Sequence, residues 1–177
     1  MAPQTTPAGE PAAFNVLAET SGWYYRCDPA LAFTRPELHA LVALWREKAQ
    51  AAGGLPARAD FDMRVLKPFL RNVSLLERGG SGRIRFRLFG SALVDLFGER
   101  TAQYLDEMTS PVLLANWTAA YDMIVRNGGP VRIFNHKLSP ILNGEMFAAP
   151  LAPDAEGKAL VMAAAYVALK DATSSQQ

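Results

Sequence analysis

The most regular apolar spacing in the chain is Leu38, Leu41, Val42 and Trp45, at i, i+3, i+4 and i+7, which predicts an amphipathic helix over residues 37–50. Thr34 to Glu37 reads as a capping box ahead of it, and Pro36 fits the first turn, where a missing N–H leaves no bond unmade. Gly53-Gly54 ends the element, and Asp60 is placed to cap a second, short helix holding Met63 and Leu66 before Pro68. The period then changes to two. Residues 71–77 are apolar-rich, and Arg78-Gly79-Gly80-Ser81-Gly82 supplies a hairpin loop. In the returning strand Ile84, Phe86 and Leu88 share one face, and Arg83, Arg85 and Arg87 share the other.

Helical signals follow. Residues 91–97 suit a short helix ending at Gly98, and Ser110-Pro111 opens a longer one, Ser as N-cap and Pro at N1, that Gly128-Gly129 stops. Three strands close the chain, at 131–138, 145–151 and 158–169, with turns at Asn143-Gly144 and at 154–157. Two strands, a helical crossover and three strands predict an α+β domain: one five-stranded antiparallel sheet with helices on one face, preceded by the N-terminal amphipathic helix. The expected division is a flexible tail at 1–20, a helical extension at 21–55, the sheet domain at 56–170 and a flexible tail at 171–177. Trp23-Tyr24-Tyr25 is expected to pack the N-terminal segment onto that domain.

Charge changes the picture only by exclusion. With 18 basic and 17 acidic residues the net charge is +1, so no bulk field draws the chain to nucleic acid or to an anionic membrane. No apolar run approaches the ~20 residues a bilayer span needs, and the segment Met1 to Pro11 lacks the basic and apolar regions of a secretory signal, so a cytoplasmic location is expected. A single cysteine, Cys27, excludes an internal disulfide.

Two segments carry a resemblance. Gly54-Leu55-Pro56-Ala57-Arg58-Ala59-Asp60-Phe61-Asp62 and Phe86-Arg87-Leu88-Phe89-Gly90-Ser91 resemble the "GLPxRxDFD" opening and second hairpin strand of a bacterial PAS-like single-domain family. The likeness extends through Tyr104-Leu105-Asp106-Glu107, Gly129-Pro130-Val131 and Ala149-Pro150-Leu151, from about Leu38 to Val167. It departs at Glu99-Arg100-Thr101-Ala102, where the family has Asp-x-Thr-Gly, and at Ser91, which stands for Thr as the expected cap of the next helix. The resemblance implies a PAS-like fold and a stand-alone sensory module that binds a small molecule or a partner protein, forms a homodimer and has no catalytic output.

A LOV-type flavin needs a reactive helix cysteine, and a PAS haem needs a histidine between the second and third strands. Cys27 precedes the first expected helix and residues 90–129 contain no histidine, so both cofactors are disfavoured and the ligand is left open. His39 and His136 lie far apart without an acidic cluster, which argues against a metal site. Glu99, Asp106 and Glu107 read as capping charges, and the three arginines of the 83–87 run as a solvated sheet face or a dimer rim. The expected pocket is lined by Phe86, Leu88, Tyr104, Trp117, Tyr121, Phe134, His136, Phe147 and Tyr166, with Ala163 and Ala165 leaving room or admitting a packed helix. Two alternatives remain: a ligand-free dimerisation adaptor, and a small-cavity enzyme using His136 with Tyr121 or Tyr166.

Overall fold

The computed structural model describes residues 9–135 and 142–169. The chain runs through helix α1 (Glu10–Thr20), strand β1 (Tyr25–Asp28), helix α2 (Pro36–Ala52), a 3-10 turn (Arg58–Asp60) and helix α3 (Met63–Leu66). The hairpin β2 (Val73–Arg78) and β3 (Ile84–Phe89) follows, then helices α4 (Ser91–Phe97), α5 (Leu105–Met108) and α6 (Pro111–Asn127), and strands β4 (Val131–Asn135), β5 (Leu142–Leu151) and β6 (Ala159–Leu169). All strand pairs are antiparallel, in the order β1-β4-β5-β6-β2-β3. The hairpin and the three closing strands form one sheet, as the element order predicts, and they meet where β2 pairs with β6.

Two features of the expectation are corrected. The sheet has six strands, because Tyr25–Asp28 pairs with β4 at one edge. Helices cover both faces. On one, Leu38, Leu41 and Trp45 of α2 bury against Phe147, Leu160 and Met162, and the Trp45 indole N–H donates to the Pro150 carbonyl at 3.0 Å. Each such side chain contributes about 1.5–3 kcal/mol of apolar burial, so the stripe on α2 is satisfied within its own chain. On the other face α1 and α6 pack through Phe14, Ala18, Met123 and Ile124 onto Val131, Ile133 and Val161. Strand alternation divides the two layers: Leu160, Met162 and Ala164 face α2, while Val161 and Ala163 face α6.

All of α1 lies inside the segment expected as a flexible tail. Pro11 sits near its start, and Phe14 and Ala18 dock while Asn15 ties to β1. Residues 1–8 and 170–177 lie outside the described residues, as does 136–138 of the expected third strand. Asn143 and Gly144, expected in a turn, are strand residues paired with Ala168 and Val167.

The helix ends match the expected caps at some positions and differ at others. Ser110 caps α6 by accepting from the Leu113 N–H, and Gly53 and Gly128 close their helices with left-handed φ of 67° and 72°. Asp62, not Asp60, caps α3, accepting from Arg64 and Val65. Thr34 forms no capping box: Arg35 is the N-cap of α2, and the Thr34 hydroxyl donates to Glu145. Ser91 is the first residue of α4 and the cap is Gly90, where a Cβ would run into the Arg71 carbonyl.

Candidate functional site

A cavity of about 360 Å³ lies between the sheet and the crossover helices α4–α6. Its origin is a shortage of volume. The sheet beneath α6 presents Ala148, Ala163 and Ala165, and these methyl groups cannot fill the space below Trp117. α6 is held at its height by polar ties at the far side: the Tyr121 hydroxyl donates to the Ala159 carbonyl at 2.7 Å, and Arg78 pairs with Asp122 at 2.5 Å. Trp117 also packs on Tyr25 of β1, ring centroids 5.0 Å apart, and Phe86 meets Phe89 edge-on at 4.9 Å. Burial pushes the phenol pKa values of Tyr25 and Tyr121 up, so both remain neutral donors at physiological pH.

Of the residues expected to line a pocket, Phe86, Trp117 and Tyr121 do so. Leu88 does not, for a local reason. In β3 the residue opposite Leu75 is Leu88 and the residue opposite Leu76 is Phe86, so Arg87 is an extra residue in a β-bulge. The bulge reverses the alternation, leaving Phe86 toward the cavity and Leu88 packed in the α2 layer. Phe147 is fully buried in that same layer, and Tyr166 lies there under the Arg35 guanidinium, 4.8 Å from its ring centroid. Tyr104 flanks the outer edge of β3 with Arg83 stacked 3.8 Å above its ring. Phe134 carries Arg132 at 4.5 Å and borders an open surface hollow beside α1 and β1. His136 is outside the described residues. Sequence reasoning missed Tyr25, Ser74, Phe89, Phe97 and Arg100 as lining residues, while the small residues Ala163 and Ala165, with Phe86, Trp117 and Tyr121, pointed to the site.

Several charges outside the cavity are engaged in the framework. Glu77, 4% exposed, gathers Arg85, Arg87 and Lys158, so two of the three alternating arginines serve a buried carboxylate. Arg83 instead pairs with Asp106 at 2.7 Å and Glu107 at 2.8 Å. Glu145, 7% exposed, accepts from the Thr34 N–H and hydroxyl, the Arg35 N–H and Arg132. Burial alone would raise its pKa, but the Arg132 bond and then the Thr34 and Arg35 donors outweigh burial and hold it below the ordinary carboxylate value. Burial, reinforced by the charge of Asp28, pushes the Cys27 thiol up to about 12, which leaves it without nucleophilic character at neutral pH. Among the described residues no group of three or more His, Cys, Asp or Glu is placed to hold a metal, and no helix is long and apolar enough to cross a membrane.

An antiparallel sheet in which the hairpin β2–β3 joins the closing strands through β2 and β6, with a helical crossover roofing an apolar cavity, is a small α+β architecture. A family model described as PAS domain matches residues 33–164, and the chain belongs to that family. The matched stretch takes in α2 as well as the crossover and most of the sheet. PAS domains are in general non-catalytic sensory modules and often mediate interactions. Comparison with curated proteins and with solved structures found no match.

Proposed function

We propose that this protein is a sensory module that takes a small molecule into the cavity beneath α6 and passes the change to a partner protein, without chemistry of its own. The observation that carries the reading is the alanine-floored apolar cavity, whose volume of about 360 Å³ falls in the range of small-molecule sites, roughly 300–1,000 Å³. Its lining is mostly apolar and is drawn from α4, α5, α6 and the sheet face beneath them. Native mass spectrometry of freshly purified protein tests it. A retained small molecule is expected in the parent protein and not in Ala163→Phe, whose ring would occupy the cavity. Absence of any retained mass, combined with a rise in melting temperature for Ala163→Phe, would overturn the reading in favour of an unfilled packing defect.

A second reading, an interaction adaptor that self-associates, is favoured by the exposure of Val16 and Leu17 on α1 and of Tyr24 beyond it. Sedimentation velocity of the parent protein and of Val16→Asp checks it: a dimer that the variant converts to monomer supports the adaptor.

A further inference from the structure

Among the described residues, the cavity has one charged side chain with no charge partner. Glu145 borders it, but its carboxylate is committed to Thr34, Arg35 and Arg132. Arg100 also lines the cavity, and among the described residues its guanidinium makes no ion pair and one long hydrogen bond, Nη1 to Gln103 Oε1 at 3.4 Å. Phe97 and Leu113, lining residues 38% and 40% exposed, mark where the cavity meets solvent, and Arg100 follows Phe97 by three residues.

The backbone that carries Arg100 is tied on both sides. Glu99 Oε1 accepts from the N–H groups of Arg100 and Thr101 at 2.9 and 2.7 Å. The Ala102 N–H donates to the Phe86 carbonyl at 2.7 Å, and the Phe86 N–H returns to the Gln103 carbonyl at 3.1 Å. The loop is thus stitched to the edge strand whose side chain at Phe86 walls the cavity. A guanidinium held beside an apolar chamber, with little competition from neighbours, favours an anion whose body is apolar. A single arginine matches the planar monoanion of a carboxylate, which it can meet with two parallel N–H donors, better than a dianionic phosphate that calls for several cations.

We propose that the cavity selects an apolar monocarboxylate, its hydrocarbon body under Trp117 and its carboxylate on Arg100. The inference rests on the cavity reading above. At roughly 30 Å³ for each water-sized group, 360 Å³ holds about a dozen non-hydrogen atoms, the size of a ten-carbon acid.

Isothermal titration at pH 7.5 with decanoate and with 1-decanol separates charge from volume. Decanoate is expected to bind about tenfold or more tighter than the alcohol, the scale of one charge-assisted hydrogen-bonded pair. Arg100→Gln should erase that preference while alcohol affinity is unchanged, and Arg100→Lys should restore part of it. Equal affinity for acid and alcohol in the parent protein, lost for both in Ala163→Phe, would overturn the role of Arg100 and leave the cavity reading standing. No binding of either probe would overturn the carboxylate assignment, with the retained-mass experiment deciding the cavity reading separately. Because the acid-to-alcohol ratio is read in the unaltered chain, the proposal stays testable even if an Arg100 variant folds poorly.

Discussion

The carboxamide of Asn15 makes two hydrogen bonds with the backbone of one residue, Cys27: its Nδ2 donates to the carbonyl, and the Cys27 N–H donates to its Oδ1, both at 2.8 Å. That pair is what a neighbouring strand would supply, and Cys27 lies in β1 at the edge of the sheet. The opposite edge is closed in kind, since Phe86 of β3 exchanges backbone bonds with Ala102 and Gln103. Exposed strand edges recruit other strands, so each cap is a device against unwanted pairing.

Asn15→Ala is expected to lower stability by about 1–3 kcal/mol, leaving two backbone groups without partners, and to cause association that grows with protein concentration. Thermal unfolding and sedimentation at two concentrations read both effects. Unchanged behaviour in both would show that the edge is protected by something other than Asn15.

Glu145 sets an acid limit. Its pKa lies below the ordinary value in the folded chain, so on acidification the unfolded chain takes up this proton first. The stabilisation it provides is therefore complete above the unfolded-state value of about 4.3 and is lost as pH falls through the lower folded-state pKa. Glu145→Gln should reduce the melting temperature at pH 7 and flatten its decline below about pH 4. A parallel decline in parent and variant would assign the acid sensitivity to other carboxylates.

Neighbouring alanines on β6 should answer oppositely to enlargement. Ala164 is fully buried in the α2 layer, so Ala164→Leu overpacks a filled space and is expected to destabilise by about 1–3 kcal/mol. Ala163→Leu extends into the cavity and should be neutral or stabilising in ligand-free protein. Equal losses in the two melting temperatures would mean that the cavity cannot accept a side chain.

Ala102 holds a φ of 67° at the place where the resembled family has its tight-turn glycine. The left-handed conformation strains any residue with a Cβ by about 1–2 kcal/mol, so Ala102→Gly is expected to stabilise the fold by up to about 1 kcal/mol after the entropy that glycine loses on ordering. Chemical denaturation measures the change, and a loss of stability would show that the Ala102 methyl group makes contacts that outweigh the strain.

Much of the architecture was legible because it depends on period. The α2 stripe, the hairpin and the three closing strands each repeat over several residues, and their order leads to one sheet. The parts that escaped depend on single residues or on distant partners. β1 is four residues long and acquires its role only by pairing with β4, more than a hundred positions away in sequence. α1 has two buried apolar positions, Phe14 and Ala18, besides Pro11, too few to mark a helix against a Pro- and Ala-rich background. The site was half-read for a sharper reason. Alternation places Phe86 and Leu88 together, and one inserted residue, Arg87, parts them. Thr34 shows the same limit for polar groups: its hydroxyl suits a helix cap, but a buried glutamate 111 residues away binds it instead.

The alanines under α6 have a consequence for how such a module diversifies. Ala148, Ala163 and Ala165 join the sheet through their backbone ladder, which is blind to what stands on Cβ. The space above them is thereby an adjustable interior, resized one carbon at a time at three positions while the strands keep their pairing. Chemical taste and architectural soundness become separate traits in this chain, and a lineage can change the first without renegotiating the second.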